Sequence, residues 1–264
     1  MFDRVKRAGR DRLVRAVQEA TREQTDEIRR LHERIGGLEH QLWHEMPARL
    51  AGLEHRDRRD MEAAGDREAV ASSAAYVRDH FAEAVGHRDP HDTLRAALAA
   101  APTGGLALEF GVFSGTTLSI IAQERSEVVY GFDVFTGLPE AWRPGYPAGF
   151  FGVDEPPVVE GAEMVVGLFE DTTAGFLAEH PGDVDLLHVD CDLYSGAVTV
   201  LREVGPRLRV GSIVVFDEYL NHPGWQSGEF QAWAEHVART GISYEYVAYT
   251  IDHEQVVVRV TDVP

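Results

Sequence analysis

Cysteine is almost absent from this sequence of 264 residues, since Cys191 is the only one. A single cysteine excludes an internal disulfide framework and a Cys-rich zinc site. No apolar run reaches the roughly 18–20 residues of a membrane span, and the first twenty residues lack the apolar core of a signal peptide. We interpret Cys191 as a small buried hydrophobic residue and expect a protein of the reducing cytoplasm.

Basic residues are scarce over most of the chain. Residues 69–264 contain 10 basic and 29 acidic residues, which accounts for the whole net charge of −19. Residues 1–68 contain 15 of each and are neutral in sum. Because so acidic a region repels a phosphate backbone, we do not expect nucleic acid as a partner.

Residues 1–68 predict a helical extension that resembles a coiled coil. Residues at alternating spacings of three and four form a heptad seam: Val14, Val17, Thr21, Gln24, Ile28, Leu31, Ile35, Leu38 and Leu42. Gly36 and Gly37 are expected to loosen or break the helix, and Pro47 to end it. The extension either self-associates into a homo-oligomer or packs as a single amphipathic helix on the rest of the chain. A second helix is expected over residues 48–65 without a strong seam, and a third over residues 66–85.

The remaining sequence predicts an α/β fold. Residues 69–92 are interpreted as a connecting helix and linker, and residues 93–264 as one domain in which apolar strands alternate with helices. Uninterrupted apolar strands imply a parallel sheet covered on both faces, with the ligand beyond the carboxyl ends of the strands. The last two strands are expected to form an antiparallel pair.

The first strand of this domain ends in "LEFGVFSGTTL", from Leu108 to Leu118. Its E-x-G-x-x-x-G spacing lacks the G-x-G-x-x-G fingerprint of a dinucleotide site, which argues against an NAD-dependent dehydrogenase. Asp133 closes the next strand about 20 residues later, where an acid can accept both ribose hydroxyls. Glu109 is either part of this site or one member of a buried structural pair, and Asp133 could instead be a strand-end cap.

Four segments in this order and spacing resemble class I S-adenosylmethionine-dependent methyltransferases: "LEFGVFSGTTLSIIA", "GFDVFTGLPEAW", "HVDCDLYSGAVTVL" and "GSIVVFDEY". The likeness is to macrocin- and mycinamicin-type sugar O-methyltransferases and covers roughly residues 93–260. The resemblance implies a Rossmann-like sheet of seven strands with the last one antiparallel. It also implies S-adenosylmethionine as cofactor. The methionine part would lie on Glu109, Gly111, Ser114, Gly115 and Thr116, the ribose on Asp133, and the adenine near Val134, Phe135, Leu168 and Phe169.

Acidic residues follow two further strands, Asp190 after one and Asp217 with Glu218 after the next. Because neighbouring parallel strands lie about 4.8 Å apart, we expect these three carboxylates to converge and to need a divalent cation, with magnesium favoured by hard oxygen ligands. The resemblance implies that such a metal grips hydroxyl oxygens of the substrate. The family commonly has Asp-Asp or Asp-Asn at the last pair, so Glu218 is the less regular ligand.

The catalytic base has several candidates. Asp192 could lie near the metal, act as the base, or cap the helix that starts near Ser195. His222 lies in the loop after the metal pair and is the other candidate, while His188 is interpreted as a core or supporting residue. Residues 140–157 are rich in proline, glycine and aromatic residues and predict a lid, in which Trp142, Tyr146, Phe150 and Phe151 would cover the substrate. The alternative for this stretch is an exposed insertion with its own small core.

These patterns together predict a magnesium-dependent O-methyltransferase that acts on a sugar hydroxyl of a glycosylated secondary metabolite. One alternative keeps the chemistry and exchanges the acceptor for a cell-envelope glycan. Another is an assembly protein, built on the coiled coil, whose methyltransferase domain is inactive. Asp190, Asp192 and His222 are the expected catalytic residues, and Asp190, Asp217 and Glu218 the expected metal ligands.

Overall fold

The structure is a computed structural model that describes the backbone of residues 2–264, and their side chains except those of residues 2–8, 11, 13, 16, 56 and 57. Two compact units divide the chain, Met1–Ala64 and Gly65–Pro264. Among the described residues, no helix is long and apolar enough to cross a membrane.

The first unit is helical. Helix α1 spans Phe2–His40, a π-helical turn follows at Gln41–Glu45, and helix α2 spans Met46–Asp57. The expected break at Gly36 and Gly37 is wrong, because two exposed glycines cost only about 1 kcal/mol each in a helix of this length. The expected end at Pro47 is also wrong. The π-turn interrupts the regular hydrogen-bond ladder just before this proline, so its missing N–H is tolerated at the start of α2.

Six more helices belong wholly or mainly to the second unit. They are α3 (Met61–His80), α4 (Pro90–Ala100), α5 (Thr116–Glu124), α6 (Phe169–Glu179), α7 (Tyr194–Val204) and α8 (Glu229–Thr240). Local sequence explains the start of α4, where Asp89 caps the helix by accepting from the backbone N–H of His91 and a proline takes the first position. Helix α3 ends five residues earlier than expected, which frees the following residues for a strand.

The described part of the chain forms a sheet of eight strands, where seven were expected. They are β1 (Val85–His87), β2 (Leu106–Phe110), β3 (Val129–Asp133), β4 (Ala162–Val166), β5 (Val184–Val189), β6 (Leu208–Phe216), β7 (Ser243–Thr250) and β8 (Val256–Asp262). The order is β1-β7-β8-β6-β5-β2-β3-β4. The additional strand is β1, a short edge strand parallel to β7 within the region interpreted as a linker. Only three residues pair there, too few for a periodic signal in the sequence.

The α/β class and the mostly parallel sheet are confirmed. Strand β8 runs antiparallel to both of its neighbours, β6 and β7, as the family resemblance implies. All six residues of β5 are buried, and residues of alternating parity pack on opposite faces, so Leu108 and Leu187 join one core while Ala107 and Leu186 join the other.

The order of the strands reverses between β2 and β5. From β2 the chain proceeds outward to β3 and β4 on one side, whereas β5 and β6 lie on the other. A crevice opens at such a point beyond the carboxyl ends of the strands, because the connections leave it in opposite directions. The residues that follow β2, β3, β5 and β6 are therefore brought to one place.

Candidate active site

Glycine is required where β2 leaves the sheet. Gly111 has a φ of +96°, and a Cβ there would overlap the carbonyl oxygen of Asp190. Gly115 caps α5 with a φ of +79°. Since left-handed backbone costs other residues about 1–2 kcal/mol, both glycines follow from the path of this loop. The loop after β2 and the loop after β5 consequently touch backbone to backbone.

Asp133, at the end of β3, fastens the same loop. One carboxylate oxygen accepts from the backbone N–H of Val112 and of Phe113, both at 2.8 Å, and the other accepts from that of Phe135 at 2.7 Å. The strand-end role considered for Asp133 is thus present in the structure. The oxygen that accepts from Phe135 keeps a further lone pair, so these bonds leave capacity for a ribose hydroxyl.

A cavity of about 790 Å³ lies over this end of the sheet. It brings together five of the residues expected to hold the cofactor with four acidic residues expected at the metal or the base. These lining residues are Gly111, Asp133, Val134, Leu168, Phe169, Asp190, Asp192, Asp217 and Glu218. The other expected residues do not line it: Glu109 and Phe135 are buried, Ser114, Gly115 and Thr116 lie at the start of α5, and His222 is buried in its own loop.

The acidic residues occupy the part of the cavity next to β5 and β6. One ligand atom from each of His188, Asp190 and Asp217 can lie within 4.8 Å of the others. Burial, followed by repulsion from Asp217, raises the pKa of Asp190 well above its usual value, and the same two causes raise the pKa of Glu218. Among the described residues, Oε2 of Glu218 is a buried oxygen without a hydrogen-bond partner. This corner therefore holds more negative charge than its surroundings compensate.

His188 compensates part of this acidic corner from a buried position, which agrees with its interpretation as a core or supporting residue. It stands in register with Glu109 on β2, and its Nδ1 lies 2.8 Å from the carboxylate of Glu109 while its Nε2 lies 3.6 Å from that of Asp217. Burial favours neutral imidazole, but the bonds to Asp217 and Glu109 outweigh it and raise the pKa of His188 well above the usual value. Burial by itself would raise the pKa of Asp217, but the contact with His188 outweighs burial and lowers it. Glu109 is thus a member of a buried pair, one of the two roles considered for it.

Glu229, the first residue of α8, was not predicted to belong to the site. Its fully buried carboxylate accepts from the backbone N–H of Cys191 at 3.3 Å and from that of Glu218 at 3.0 Å. It thereby fixes the loops that carry Asp190 and Asp217. Burial raises the pKa of Glu229 to about 8. An acidic residue in the first turn of a helix is so common that the sequence offered no signal for this bridge.

Asp192 lines the cavity and adopts a left-handed backbone with a φ of 57°. Of the three roles considered for Asp192, the helix cap is the one that the structure contradicts, because α7 begins at Tyr194 and Leu193 occupies the cap position. Burial and the charge of Asp217 raise the pKa of Asp192 to about 7, although Arg143 on the facing segment acts against this. His222, by contrast, places both ring nitrogens 3.2–3.3 Å from backbone carbonyls of its own loop.

The segment at residues 140–157 contributes to the wall of the cavity. Trp142, Tyr146 and Phe151 line it, whereas Phe150 does not. The guanidinium of Arg143 lies 3.8 Å from the ring centroid of Trp142 and forms an ion pair with Glu254 at 3.1 Å. These contacts attach an irregular segment without helix or strand to the site.

A family model described as a methyltransferase domain matches residues 108–219 of this chain. Among solved structures, CalS11, a calicheamicin methyltransferase, is 25% identical, with 64% of this chain and 76% of that chain covered and a TM-score of 0.50. The O-methyltransferase NovP is 23% identical, with 65% of this chain and 79% of that chain covered and a TM-score of 0.51. An apo structure of CalS11, which is described as a TDP-rhamnose 3′-O-methyltransferase in calicheamicin biosynthesis, is 27% identical over 64% of this chain and 76% of that chain, with a TM-score of 0.44.

The curated proteins contain no match to this chain. The methyltransferase family model covers the strands and loops that build the cavity, and the CalS11 and NovP structures share the fold. The region that builds the cavity therefore matches a methyltransferase domain.

Proposed function

We propose that this protein transfers a methyl group from S-adenosylmethionine to a hydroxyl of a sugar on a secondary metabolite. The observation that carries the proposal is the single cavity that joins the glycine loop and Asp133 to the acidic corner at Asp190 and Asp217. A methyl donor and a hydroxyl acceptor need adjacent sites of this kind, because the reacting atoms must approach within about 3–3.5 Å. The likeness to CalS11, a calicheamicin methyltransferase, supports a natural product as the acceptor.

The cofactor half of the cavity lies over β2 and β3. Asp133 would accept from a ribose hydroxyl with the lone pair that its three backbone bonds leave free. Val134, Leu168 and Phe169 supply the apolar surface on which an adenine ring would lie. Gly111 and the start of α5 remain the proposed contacts of the methionine part, and Phe135 would act from behind, as packing for Val134.

The acidic half suits a divalent cation. Hard oxygen ligands favour magnesium. The buried carboxylate oxygen of Glu218 has no hydrogen-bond partner among the described residues, so its lone pairs are free to bind a cation. Asp190, Asp217 and Glu218 would hold the ion, while His188, whose ring lies 3.6 Å from the carboxylate of Asp217, would steady that ligand. A bound cation would lower the pKa of a substrate hydroxyl and orient it.

The chain's own residues would then align the reactants and accept the proton. In the displacement the hydroxyl oxygen forms a bond to the methyl carbon as the carbon–sulfur bond breaks, and the hydroxyl proton goes to a base. Asp192 is the proposed base because its carboxylate borders the cavity. His222 is the weaker candidate because its ring nitrogens face backbone carbonyls. Trp142 and Tyr146 would close over the sugar and exclude water.

Binding and chelation test the two halves of the site separately. Calorimetry with S-adenosylhomocysteine and with NAD should show binding of the first and not of the second. Binding of neither would favour an inactive assembly protein. EDTA should abolish methyl transfer and added magnesium should restore it; full activity in chelator would remove the metal from the proposal. A mass-spectrometric screen of deoxysugar-bearing macrolides, other glycosylated metabolites and free glycans would separate a natural-product acceptor from an envelope glycan.

Asp190→Ala should lower turnover at least a hundredfold while S-adenosylhomocysteine affinity changes by less than about threefold, because Asp190 is assigned to the acceptor side. Asp183→Ala is the matched control, since Asp183 is an exposed aspartate just before the other end of the same strand. Loss of cofactor affinity in Asp190→Ala would assign Asp190 to the cofactor half instead.

A further inference from the structure

The helical unit has an exposed apolar stripe along α1 and α2 that takes no part in the candidate active site. Its members in α1 and the π-turn all fall on the two seam positions of one heptad register, and each is 46–59% exposed in the single chain. They are Val14, Val17, Ile28, Leu31, Ile35, Leu38 and Leu42. Seven exposed aliphatic residues in one register are the pattern of a coiled-coil seam.

The π-turn at Gln41–Glu45 extends this stripe into α2. Its closing bond runs from the N–H of Met46 to the carbonyl of Gln41, five residues back, so the turn holds one more residue than an α-turn. An uninterrupted heptad would continue from Leu42 to residues 45, 49 and 52, which are Glu45, Arg49 and Gly52.

Because the π-turn holds one additional residue, each later seam position shifts by one residue toward the C-terminus. The stripe then continues at Met46, Leu50 and Leu53, which are 47%, 57% and 56% exposed. The π-turn therefore restores the phase of a seam that the sequence alone shows as ending at Leu42. At about 1.5 Å per residue, the seam from Val14 to Leu53 is roughly 60 Å long.

We propose that this stripe binds the same stripe of a second copy of the chain, as a parallel two-stranded coiled coil that continues through the π-turn. The residue types at the two seam positions indicate how many helices associate and whether they run parallel. Ile28 and Ile35 occupy one seam position of the heptad, and Leu31 and Leu38 the other. β-Branched residues at the first position and leucine at the second favour parallel dimers.

The two polar members of the seam fit the same arrangement. The hydroxyl of Thr21 donates to the carbonyl of Val17 at 2.7 Å, so it is satisfied within its own helix and presents a methyl group to the partner. Gln24 would meet the Gln24 of the second copy, where a polar pair specifies register at a cost in stability.

Charges beside the seam are complementary in a parallel pair. Arg34 of one helix would flank Glu39 of the other, and this contact would occur twice by symmetry. Residues 1–68 carry equal numbers of basic and acidic residues, so this extension can self-associate without the repulsion that the −19 charge of the remaining chain imposes.

Cysteine crosslinking tests both the re-phasing and the direction. Cys191 is buried, so a new exposed cysteine is the reactive one under mild oxidation. Leu50→Cys should form a disulfide-linked dimer in most molecules and Arg49→Cys at least fivefold less, because only residue 50 lies on the seam. The reverse order would refute the re-phasing. Val14→Cys alone should also crosslink; crosslinking only when Val14→Cys and Leu53→Cys are combined would show antiparallel pairing and overturn the proposal.

Light scattering of the full chain tests the assembly itself. The chain has a mass of 29.3 kDa, and the wild type should show twice this value. Ile35→Asp should return the mass to that of one chain, whereas His40→Asp, which adds the same charge on the outer face of the helix, should leave it doubled. A wild-type monomer, a trimer or tetramer, or an Ile35→Asp variant that stays dimeric would overturn the proposal. Circular dichroism of each variant verifies that the helices and the sheet remain folded.

Discussion

Two glycines with nearly the same φ angle provide a test of the backbone contact between the loop after β2 and the loop after β5. Gly111 has a φ of +96° and Gly104 a φ of +95°. A Cβ at Gly111 would overlap the carbonyl oxygen of Asp190 and lie 2.9 Å from its carbonyl carbon, whereas at Gly104 it meets no described atom within 4 Å. Replacing each by alanine imposes similar backbone strain, about 1–2 kcal/mol, and only one of them imposes a clash.

The magnitude of the clash follows from what must move. The overlapping carbonyl oxygen of Asp190 must move to ordinary van der Waals distance from the Cβ, so the loops after β2 and β5 would have to separate by more than about 1 Å. A bond of 2.9 Å from the N–H of Asp190 to the carbonyl of Phe110 joins them, and another of 2.9 Å from the N–H of Gly111 to the carbonyl of Phe132 holds the loop after β2 against β3. Weakening both in a buried region costs about 3 kcal/mol beyond the shared strain.

Thermal unfolding followed by circular dichroism measures this difference. For a unit of about 200 residues, each kcal/mol lowers the Tm by about 2–4 °C, so Gly111→Ala should unfold roughly 6–12 °C below Gly104→Ala. S-adenosylhomocysteine affinity should fall at least tenfold in Gly111→Ala and stay unchanged in Gly104→Ala. Equal Tm values for the two variants would refute the claim that the loops meet backbone to backbone.

Two further perturbations test the buried polar groups. Glu229→Ala leaves two buried backbone N–H groups without their acceptor and should lower the free energy of unfolding by about 3–5 kcal/mol. The exposed Glu235→Ala on the same helix should have a much smaller effect, because water replaces its contacts. Urea denaturation compares the two variants, and equal effects would contradict the bridging role. Burial and the charge of Arg239 lower the pKa of His236 to about 4. The unfolded chain protonates His236 below about pH 6.5, whereas the folded chain does so only below about pH 4, so the free energy of unfolding decreases as the pH is lowered from 6.5 to 4. The decrease from pH 7 to pH 5 should be about 2 kcal/mol smaller in His236→Gln.

The charge balance at His188 shows why the site combines unlike groups. His188 lies between Glu109 and Asp217 with a raised pKa, and its positive charge when protonated compensates part of the acidic corner from the buried side. On the cavity side, Asp190, Asp192 and Glu218 are compensated only in part, Asp192 by Arg143, and all three have raised pKa values. Such a corner is suited to a cation or to a proton-accepting reaction, and both uses belong to the proposed chemistry.

Much of the site could be predicted because it depends on where strands end. Asp133, Asp190 and Asp217 each follow an apolar run, and parallel strands bring their carboxyl ends to one edge whatever the remaining side chains do. The same periodicity predicted the α/β class and the position of Gly111 at a turn. Patterns of this kind survive in the sequence because they are local.

The tertiary structure decided everything that depends on a distant partner. Glu229 is 38 residues from the N–H of Cys191 that it binds, and His188 is 79 residues from Glu109, so no spacing announces either contact. The phase of the helical stripe was decided by a single π-turn, which depends on how backbone hydrogen bonds close around Pro47. Apolar periodicity and the alternation of strands and helices can be predicted from consecutive residues. The pairing of buried charges cannot, because it depends on how separate helices and strands pack together.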